Sequence, residues 1–547
     1  MPKHEIYHLH PLNWESDPEE ERWKLSTLDY LASSSYLNYA LYLQLDNLDT
    51  HAQGKALAAL RHGLERTLNQ ARHLCSTLEQ DPDGDGHSFV RKKDDTVEFH
   101  VQWLDRPEDA ERFPSLQGLE RAHFRAAAMG SDPDLWRIPH MSYGSDNPVA
   151  DMDRHPAVFG VKASFIRGSG LVLVTHLHHL ANDLSGWVGC MQQLADNCRA
   201  AVTGDGAGYP PWDSACLDAS SVTRPPVPED KKVDVPENML WGPETPTSLP
   251  GGRQLLLFHL PKSKAAELKA LAQPDTSTNT GVSHISTYDA VVAQIWRSIT
   301  KTRHPHYADR IPTSAPLLWI QILDMRARLN ATSSPGTYPP RMQRNILSVG
   351  ISTMPIPGAP SAPTVAEVMG KPLSGINTEP GQIAQKKPWP LSHVASYIRA
   401  NTSVFGTPVV LDAMLNQVAA IRQKRRATAN LHVMPALAVM VSDHRTAGKL
   451  LSPAPSVRPV RHRESNGVNG MGRHGDGEKV DFGFGEVVAY RQLWGRVDVG
   501  IVILYPPRKE NEGYEVSIGY EKVLAKELVE DEEWSRWFEF RGVDWED

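Results

Sequence analysis

The sequence predicts an α/β protein with two large lobes, and three observations support this fold class. The chain has 547 residues, of which 40% are hydrophobic and 22% charged, and this length corresponds to two to four domains at about 100–200 residues each. Runs with the composition of buried strands alternate with runs that have helical spacing. From residue 206 to residue 252 the periodicity fades and prolines accumulate. We therefore place a linker there, between a first lobe (1–205) and a second lobe (253–547).

The first lobe is predicted to contain a helix, a β-hairpin and a second helix. Leucines recur every three or four residues between 55 and 75, which indicates an amphipathic helix. Residues 158–166 and 171–178 have strand-like composition and flank the turn sequence Arg-Gly-Ser-Gly, as expected for a hairpin. Helical spacing resumes just afterwards, where either Asp183 or Ser185 is a suitable N-cap.

The second lobe is predicted to combine strands and helices in the same way. The predicted strands are 254–260, 499–505 and 514–520, and the predicted helices are 262–272 and 287–300. Residues 453–479 are rich in Gly, Arg, Asn and Pro and contain few apolar side chains. We expect this segment to be a mobile insertion outside both cores.

Composition argues against several classes of function. The formal net charge is −8 and the charges are mixed along the chain, so no basic face is predicted for nucleic acid. The N-terminus lacks the apolar segment of a secretory signal, and no apolar run reaches the ~20 residues that span a bilayer. The four cysteines include no Cys-x-x-Cys pair, as expected for reduced thiols. We expect a cytoplasmic protein with no nucleic-acid or membrane partner.

A histidine-rich segment at the end of the predicted hairpin is the strongest local indication of chemistry. His176, His178 and His179 suggest a metal site, but along a strand the first two point to one face and His179 to the other. No second ligand pair has a recognised metal-binding spacing, so we predict no metal. Hydrogen-bonded core histidines remain an alternative. Asp183 lies four residues after His179, and a neutral imidazole, with a pKa near ~6.5, can accept a proton.

These residues resemble a known family. His179-x-x-x-Asp183, preceded by His178, resembles the HHxxxD motif of CoA-dependent acyltransferases, and residues 481–485 (Asp-Phe-Gly-Phe-Gly) resemble the DFGWG element of the BAHD family. Further matches follow the order of that family: residues 25–29 (Leu-Ser-Thr-Leu-Asp), 286–290 (Ser-Thr-Tyr-Asp-Ala) with Trp296, and 324–330 (Asp-Met-Arg-Ala-Arg-Leu-Asn) with Asn345. The resemblance covers nearly the whole chain except residues 453–479, and its spacing is similar to that of the trichothecene 3-O-acetyltransferase-like branch.

The resemblance implies a fold and a reaction. It implies two similar α/β lobes with mixed sheets and flanking helices, as in chloramphenicol acetyltransferase, with the active-site channel between them. It implies a monomer with no permanently bound cofactor that uses acyl-CoA, expected to be acetyl-CoA, as co-substrate. The acceptor would be a hydroxyl of a small-molecule secondary metabolite, and His179 would be the general base.

The resemblance also implies roles for residues around His179. Asp183 would turn away from the channel and pair with Arg326 or Arg328. In the 481–485 motif, three residues would be structural: Asp481, Gly483 and Gly485.

The sequence departs from the family pattern at two places. Leu184 stands where the family has glycine after the motif aspartate, and Gly186 follows two residues later. Residues 442–444 (Ser-Asp-His) correspond to the family's Ser/Thr-Ser-Trp element, so Ser442, His444 and Gly186 are our candidates for the oxyanion site or acyl pocket.

Two other functions are consistent with the HHxxxD motif. One is a stand-alone condensation-like enzyme that takes thioesters from carrier proteins, and the other is an inactive homologue that only binds a ligand. Residues 481–485 and 324–330 favour acyl-CoA over a carrier, and intact His179, Asp183 and Asp481 argue against an inactive homologue.

Overall fold

A computed structural model describes most of the chain. The described residues are 2–46, 50–82, 86–130, 132–141, 150–204, 209, 211–235, 249–274, 281–332, 338–354, 356–370, 389–424, 434–451, 480–495, 497–509 and 511–546. The expected insertion at 453–479 lies outside these residues.

The described residues form sixteen strands and eleven α-helices. The strands are β1 (Lys3–Leu9), β2 (Glu20–Lys24), β3 (Tyr36–Leu45), β4 (Thr77–Gln80), β5 (His87–Lys92), β6 (Val97–Leu104), β7 (Phe159–Ile166), β8 (Gly170–His178), β9 (Arg253–Pro261), β10 (Trp319–Asp324), β11 (Leu347–Ile351), β12 (Val439–Asp443), β13 (Gly485–Gln492), β14 (Ile501–Tyr505), β15 (Gly513–Glu521) and β16 (Glu539–Glu546). The helices are α1 (Thr50–Gln70), α2 (Leu116–Arg121), α3 (Leu184–Thr203), α4 (Lys262–Leu271), α5 (Thr287–Arg303), α6 (Arg326–Thr332), α7 (Val365–Met369), α8 (Leu391–Phe405), α9 (Pro408–Ala419), α10 (Ala525–Glu530) and α11 (Glu532–Ser535).

The first lobe is built on a mixed sheet in the order β1-β6-β7-β8-β3-β13. Every residue of β8 is buried, because both faces of the sheet are covered. Leu171 and Leu173 pack in the core that contains helices α1 and α3, whereas Val172 and Val174 face a second cluster on the opposite side. The strict alternation along β8 fixes which of its side chains face α3.

The second lobe is built on a mixed sheet in the order β11-β10-β12-β14-β15-β9-β16. Its outer face is covered by α5 and α8, and Trp296 of α5 packs on Trp319 of β10 with ring centroids 4.8 Å apart. Ile320 and Met440 belong instead to the core shared with the first lobe. The predicted fold of two α/β lobes with mixed sheets is confirmed.

The division between the lobes differs from the sequence-based prediction at one strand. Residues 485–492 lie within the range 253–547 assigned to the second lobe, but β13 pairs antiparallel with β3 in the first sheet. This pairing joins residues more than 400 positions apart, so no local sequence pattern could indicate it. Part of the expected linker is also packed, since Ala219 and Val222 lie in a small cluster with Met325.

Within the described ranges, no helix is both long and apolar enough to cross a bilayer.

Candidate active site

A cavity of about 480 Å³ lies between the two sheets. The first lobe contributes β3 and the turn at His179, and the second contributes residues of β10, β11, β12 and β14. Its walls combine apolar side chains with a nearly equal number of polar and charged ones, among them His179, Ser442 and Asp324. A concave cavity of this size that combines apolar walls with polar groups is typical of small-molecule sites.

His179 is the only one of the three clustered histidines that lines this cavity. Its Nδ1 lies 3.3 Å from the carbonyl oxygen of Asn182. Since a carbonyl oxygen can only accept a hydrogen bond, Nδ1 carries the proton and Nε2 keeps a free lone pair. Burial lowers the pKa of His179, although hydrogen bonds and the charge of Asp183 oppose that shift. The imidazole is therefore neutral at pH 7 and able to accept a proton at Nε2.

His176 and His178 are structural core residues. His176 Nδ1 donates to Asn38 Oδ1 at 2.8 Å and its Nε2 accepts from the N–H of Ile138 at 3.2 Å. His178 Nε2 donates to the carbonyl oxygen of Ala150 at 2.8 Å, and burial lowers its pKa to about 4. Among the described residues, no group of three or more metal-ligating side chains comes together.

Asp183 pairs with Arg326 in a bidentate arrangement. Arg326 Nη1 donates to Asp183 Oδ2 at 3.0 Å and Nη2 donates to Oδ1 at 2.9 Å, with only 12% and 10% of the two side chains exposed. Asp183 also caps α3, because Oδ1 accepts from the N–H of Gly186 at 2.7 Å. The other candidate partner, Arg328, lines the cavity instead.

A short segment of the second lobe, residues 344–346, holds the His179 turn from behind. Asn345 Nδ2 donates to the carbonyl oxygens of His179 and Leu180 at 3.1 and 3.0 Å. The N–H of Ile346 donates to Asp183 Oδ2 at 2.9 Å. The N–H of His179 itself donates to the carbonyl oxygen of Ser35 at 2.8 Å. Both lobes thus fix the backbone that carries the imidazole.

Ser442 and His444 line the cavity near the end of β12. His444 Nε2 lies 3.0 Å from Ser442 Oγ, and its Nδ1 lies 2.9 Å from the hydroxyl of Tyr490 on β13. Burial lowers the pKa of His444 to about 3, so its ring is neutral. Where the family has tryptophan, this chain places a buried imidazole among three tyrosine rings, those of Tyr39, Tyr490 and Tyr505.

Gly186 does not line the cavity, contrary to our sequence-based expectation. It is buried in the first turn of α3, where a Cβ would lie 2.7 Å from the carbonyl oxygen of Arg344. The residue that lines the cavity beside Asp183 is Leu184. Gly186 therefore permits close approach of the 344–346 segment and contributes no atom to an oxyanion site.

Residues 481–485 lie away from the cavity and shape the start of β13. Asp481 Oδ1 accepts from the N–H of Gly483 at 2.7 Å, and Gly483 has φ of 78°, a conformation that favours glycine. A Cβ on Gly485 would lie 2.5 Å from the carbonyl oxygen of Gln44. Phe482 and Phe484 anchor the segment in the core of the first lobe.

Two further residues, Asn182 and Tyr490, help to form the site, and no local sequence motif indicates either of them. Asn182 holds Nδ1 of His179 through its carbonyl oxygen and accepts from the N–H of Arg344 at its side chain. Tyr490 reaches the site only because β13 crosses into the first sheet.

Comparisons with known proteins identify relatives of this chain. Residues 36–198 match the family model of the trichothecene 3-O-acetyltransferase-like N-terminal domain. The chain is 43% identical to acetyltransferase FGR3 of Gibberella zeae, over 100% of this chain and 95% of that protein.

Solved structures share the fold at low sequence identity. TRI101 of F. graminearum, complexed with coenzyme A and T-2 mycotoxin, superimposes with a TM-score of 0.65 at 16% identity and covers 95% of this chain and 100% of its own. Vinorine synthase gives a TM-score of 0.57 at 16% identity, with 96% of both chains covered. This chain is an acyltransferase that belongs to the family of acetyltransferase FGR3 and contains a trichothecene 3-O-acetyltransferase-like N-terminal domain.

Proposed function

We propose that this enzyme transfers an acetyl group from acetyl-CoA to a hydroxyl of a small-molecule secondary metabolite, with His179 as general base. The observation that carries the proposal is the contact of His179 Nδ1 with the carbonyl oxygen of Asn182, which assigns the proton to Nδ1 and leaves Nε2 as the acceptor in a ring that lines the cavity. A general base must present its lone pair to the proton that it removes.

The reaction needs no covalent acyl-enzyme. His179 Nε2 takes the proton of the acceptor hydroxyl while that oxygen attacks the thioester carbonyl carbon. The C–O bond forms, the C–S bond breaks, and the departing CoA sulfur receives the proton from His179. None of the four cysteines, all of which are described, lines the cavity. Burial also raises the pKa of Cys75 and Cys190 to about 12, which argues against a thiolate nucleophile.

The cavity is consistent with a compact acceptor that carries both apolar and polar groups. Its volume of about 480 Å³ lies within the usual ~300–1,000 Å³ range of small-molecule pockets, and Ile322, Val349 and Ile503 line it. The acetyltransferase at 43% identity supports acetyl as the transferred group. The TRI101 complexes with coenzyme A and either T-2 mycotoxin or deoxynivalenol support a hydroxylated metabolite as acceptor.

Mass spectrometry of reaction mixtures tests the proposal. Purified enzyme is incubated with a panel of acyl-CoAs and a native metabolite extract, and His179→Ala serves as the matched control. We expect a product heavier by one acetyl group that forms with wild type and acetyl-CoA but not with the control. Turnover only with a carrier-bound thioester would support a condensation-like enzyme, and no turnover with any donor would support an inactive homologue.

We also propose that the enzyme acts as a cytoplasmic monomer whose second lobe begins at about residue 253. Its four cysteines are buried and unpaired, which supports a reducing compartment. Light scattering after size-exclusion chromatography tests the oligomeric state, and fluorescence microscopy of a tagged chain tests the location.

A further inference from the structure

A chain of three side chains crosses from the first lobe to the cavity. The hydroxyl of Tyr490 on β13 lies 2.9 Å from Nδ1 of His444, and Nε2 of His444 lies 3.0 Å from Oγ of Ser442. Tyr490 and His444 are buried, with 1% and 3% of their surfaces exposed. Ser442 is half-buried and lines the cavity that contains His179.

The direction of these hydrogen bonds follows from the buried tyrosine. Tyr490 is protonated, because burial raises its pKa well above the usual value. Within the described structure its hydroxyl has one hydrogen-bond partner, Nδ1 of His444. If Nδ1 carried the proton, the O–H of Tyr490 would be left without an acceptor, which is unfavourable for a buried donor.

The other tautomer of His444, with the proton on Nε2, gives every group a hydrogen-bond partner. Tyr490 donates to Nδ1, the neutral His444 ring carries its single proton on Nε2, and Nε2–H donates to Ser442 Oγ. The Ser442 oxygen then acts as acceptor toward His444. The proton of the Ser442 hydroxyl therefore points away from His444, toward the cavity that Ser442 lines.

We propose that His444 and Tyr490 are positioning residues that orient the Ser442 hydroxyl as a hydrogen-bond donor to the thioester carbonyl oxygen. The inference rests on the proposed acyl transfer. As the acceptor oxygen attacks, the carbonyl oxygen gains negative charge, and a donor that is already oriented stabilises it without reorganisation. Ser442 touches the reacting atoms, whereas the other two residues act through it.

This chain of hydrogen bonds also links residues 481–485 to Ser442. That motif fixes the start of β13, and β13 delivers Tyr490 to His444. The motif thereby influences the cavity although it lies outside it.

A double-mutant cycle on Ser442 and Tyr490 tests the proposal. Ser442→Ala is expected to lower kcat about 10²–10³-fold, as for the loss of one oxyanion donor. Tyr490→Phe is expected to lower kcat about tenfold with KM for acetyl-CoA unchanged, as for one lost hydrogen bond. In the Ser442→Ala background, Tyr490→Phe is expected to change kcat by less than about twofold, because the interaction it supports is already absent.

Tyr505→Phe is the matched control. Tyr505 also packs on His444, with ring centroids 6.0 Å apart, but its hydroxyl makes no hydrogen bond to His444 in the described structure, and it does not line the cavity. We expect its kcat to equal that of wild type. Equal losses of kcat from Tyr490→Phe in both backgrounds would overturn the proposal, as would a Ser442→Ala variant within about threefold of wild type.

A measurement on the wild-type protein tests the hydrogen-bond direction without relying on a variant's fold or turnover. In enzyme labelled with ¹⁵N-histidine, the signals lost in His444→Gln identify His444. We expect Nδ1 to be unprotonated and Nε2 to be protonated, and the opposite tautomer would overturn the proposal. If wild type fails to acetylate any acceptor while this tautomer is found, the proposed function is wrong and the hydrogen-bond direction stands.

Discussion

Replacing Asp183 with Asn isolates the contribution of the buried ion pair with Arg326. Asp183 accepts four hydrogen bonds: Oδ1 from Gly186 N–H and Arg326 Nη2, and Oδ2 from Ile346 N–H and Arg326 Nη1. In either orientation of the Asn amide, its NH₂ group faces one backbone N–H and one guanidinium N–H. The substitution therefore removes the negative charge. It also places the NH₂ donor of Asn against two N–H donors.

The expected loss of unfolding free energy depends on the hydrogen bonds that Arg326 keeps in the variant. Breaking a buried pair costs ~3–5 kcal/mol, because one charge is left uncompensated. Arg326 still donates to Asp324 Oδ1 at 3.0 Å and to the carbonyl oxygens of Met342 and Arg344. We therefore expect the lower end of that range, about 3 kcal/mol of unfolding free energy.

Urea unfolding, followed by both tryptophan fluorescence and circular dichroism, measures this change. Asp324→Asn is the control, since 43% of its side chain is exposed against 10% for Asp183, and exposed pairs contribute only ~0–1 kcal/mol. A loss below about 1 kcal/mol in Asp183→Asn together with lost activity would refute the reasoning, because Asp183 would then act directly in catalysis.

The other predictions concern the base, its pH dependence, metals and two glycines. His179→Ala is expected to fold normally and to lower the single-turnover rate about 10²–10⁴-fold, and a loss below about tenfold would contradict the assignment. Because burial lowers the pKa of His179, kcat/KM is expected to fall with decreasing pH only below pH ~6.5, and an inflection above that value would show that another group titrates. Dialysis against a strong chelator is expected to leave activity unchanged, and its loss would indicate a metal. Gly186→Ala is expected to lower both stability and kcat, since its Cβ would lie 2.7 Å from a carbonyl oxygen of the 344–346 segment. Gly54→Ala in α1 meets nothing within 4 Å and is expected to stabilise the protein by ~0.5–1 kcal/mol in urea.

Local periodicity predicted several elements of both lobes well. The strand expected at 158–166 is observed at Phe159–Ile166 and the helix expected at 262–272 at Lys262–Leu271. The helix expected at 55–75 runs instead from Thr50 to Gln70, with a separate 3-10 turn at Arg72–Cys75. Strand alternation also led us to separate His179 from the two core histidines, but the observed reason is different: β8 ends at His178, and His179 lies in the turn that follows.

Choices between nearby residues were not determined by the sequence. Asp183 and Ser185 were equally suitable N-caps. In the structure Asp183 caps α3, and Ser185 Oγ donates to Asp324 in the other lobe. Arg326 and Arg328 lie two positions apart on α6 and so leave the helix on nearly opposite sides. Which of them meets Asp183 depends on how the lobes dock, and that information is not local. The same holds for Tyr490, whose partner His444 lies in the other lobe.

Several of the sequence matches meet in space behind His179. Asp29, from the match at residues 25–29, accepts from Arg344 Nη2 at 2.8 Å and from Asn345 Nδ2 at 2.9 Å. Asn345 in turn binds the carbonyl oxygen of His179. These residues therefore form one interlobe network that holds the backbone of His179. Since that network fixes the backbone of the base, a change that separates the lobes should displace His179 before either sheet unfolds, and activity should be lost at lower urea concentrations than secondary structure.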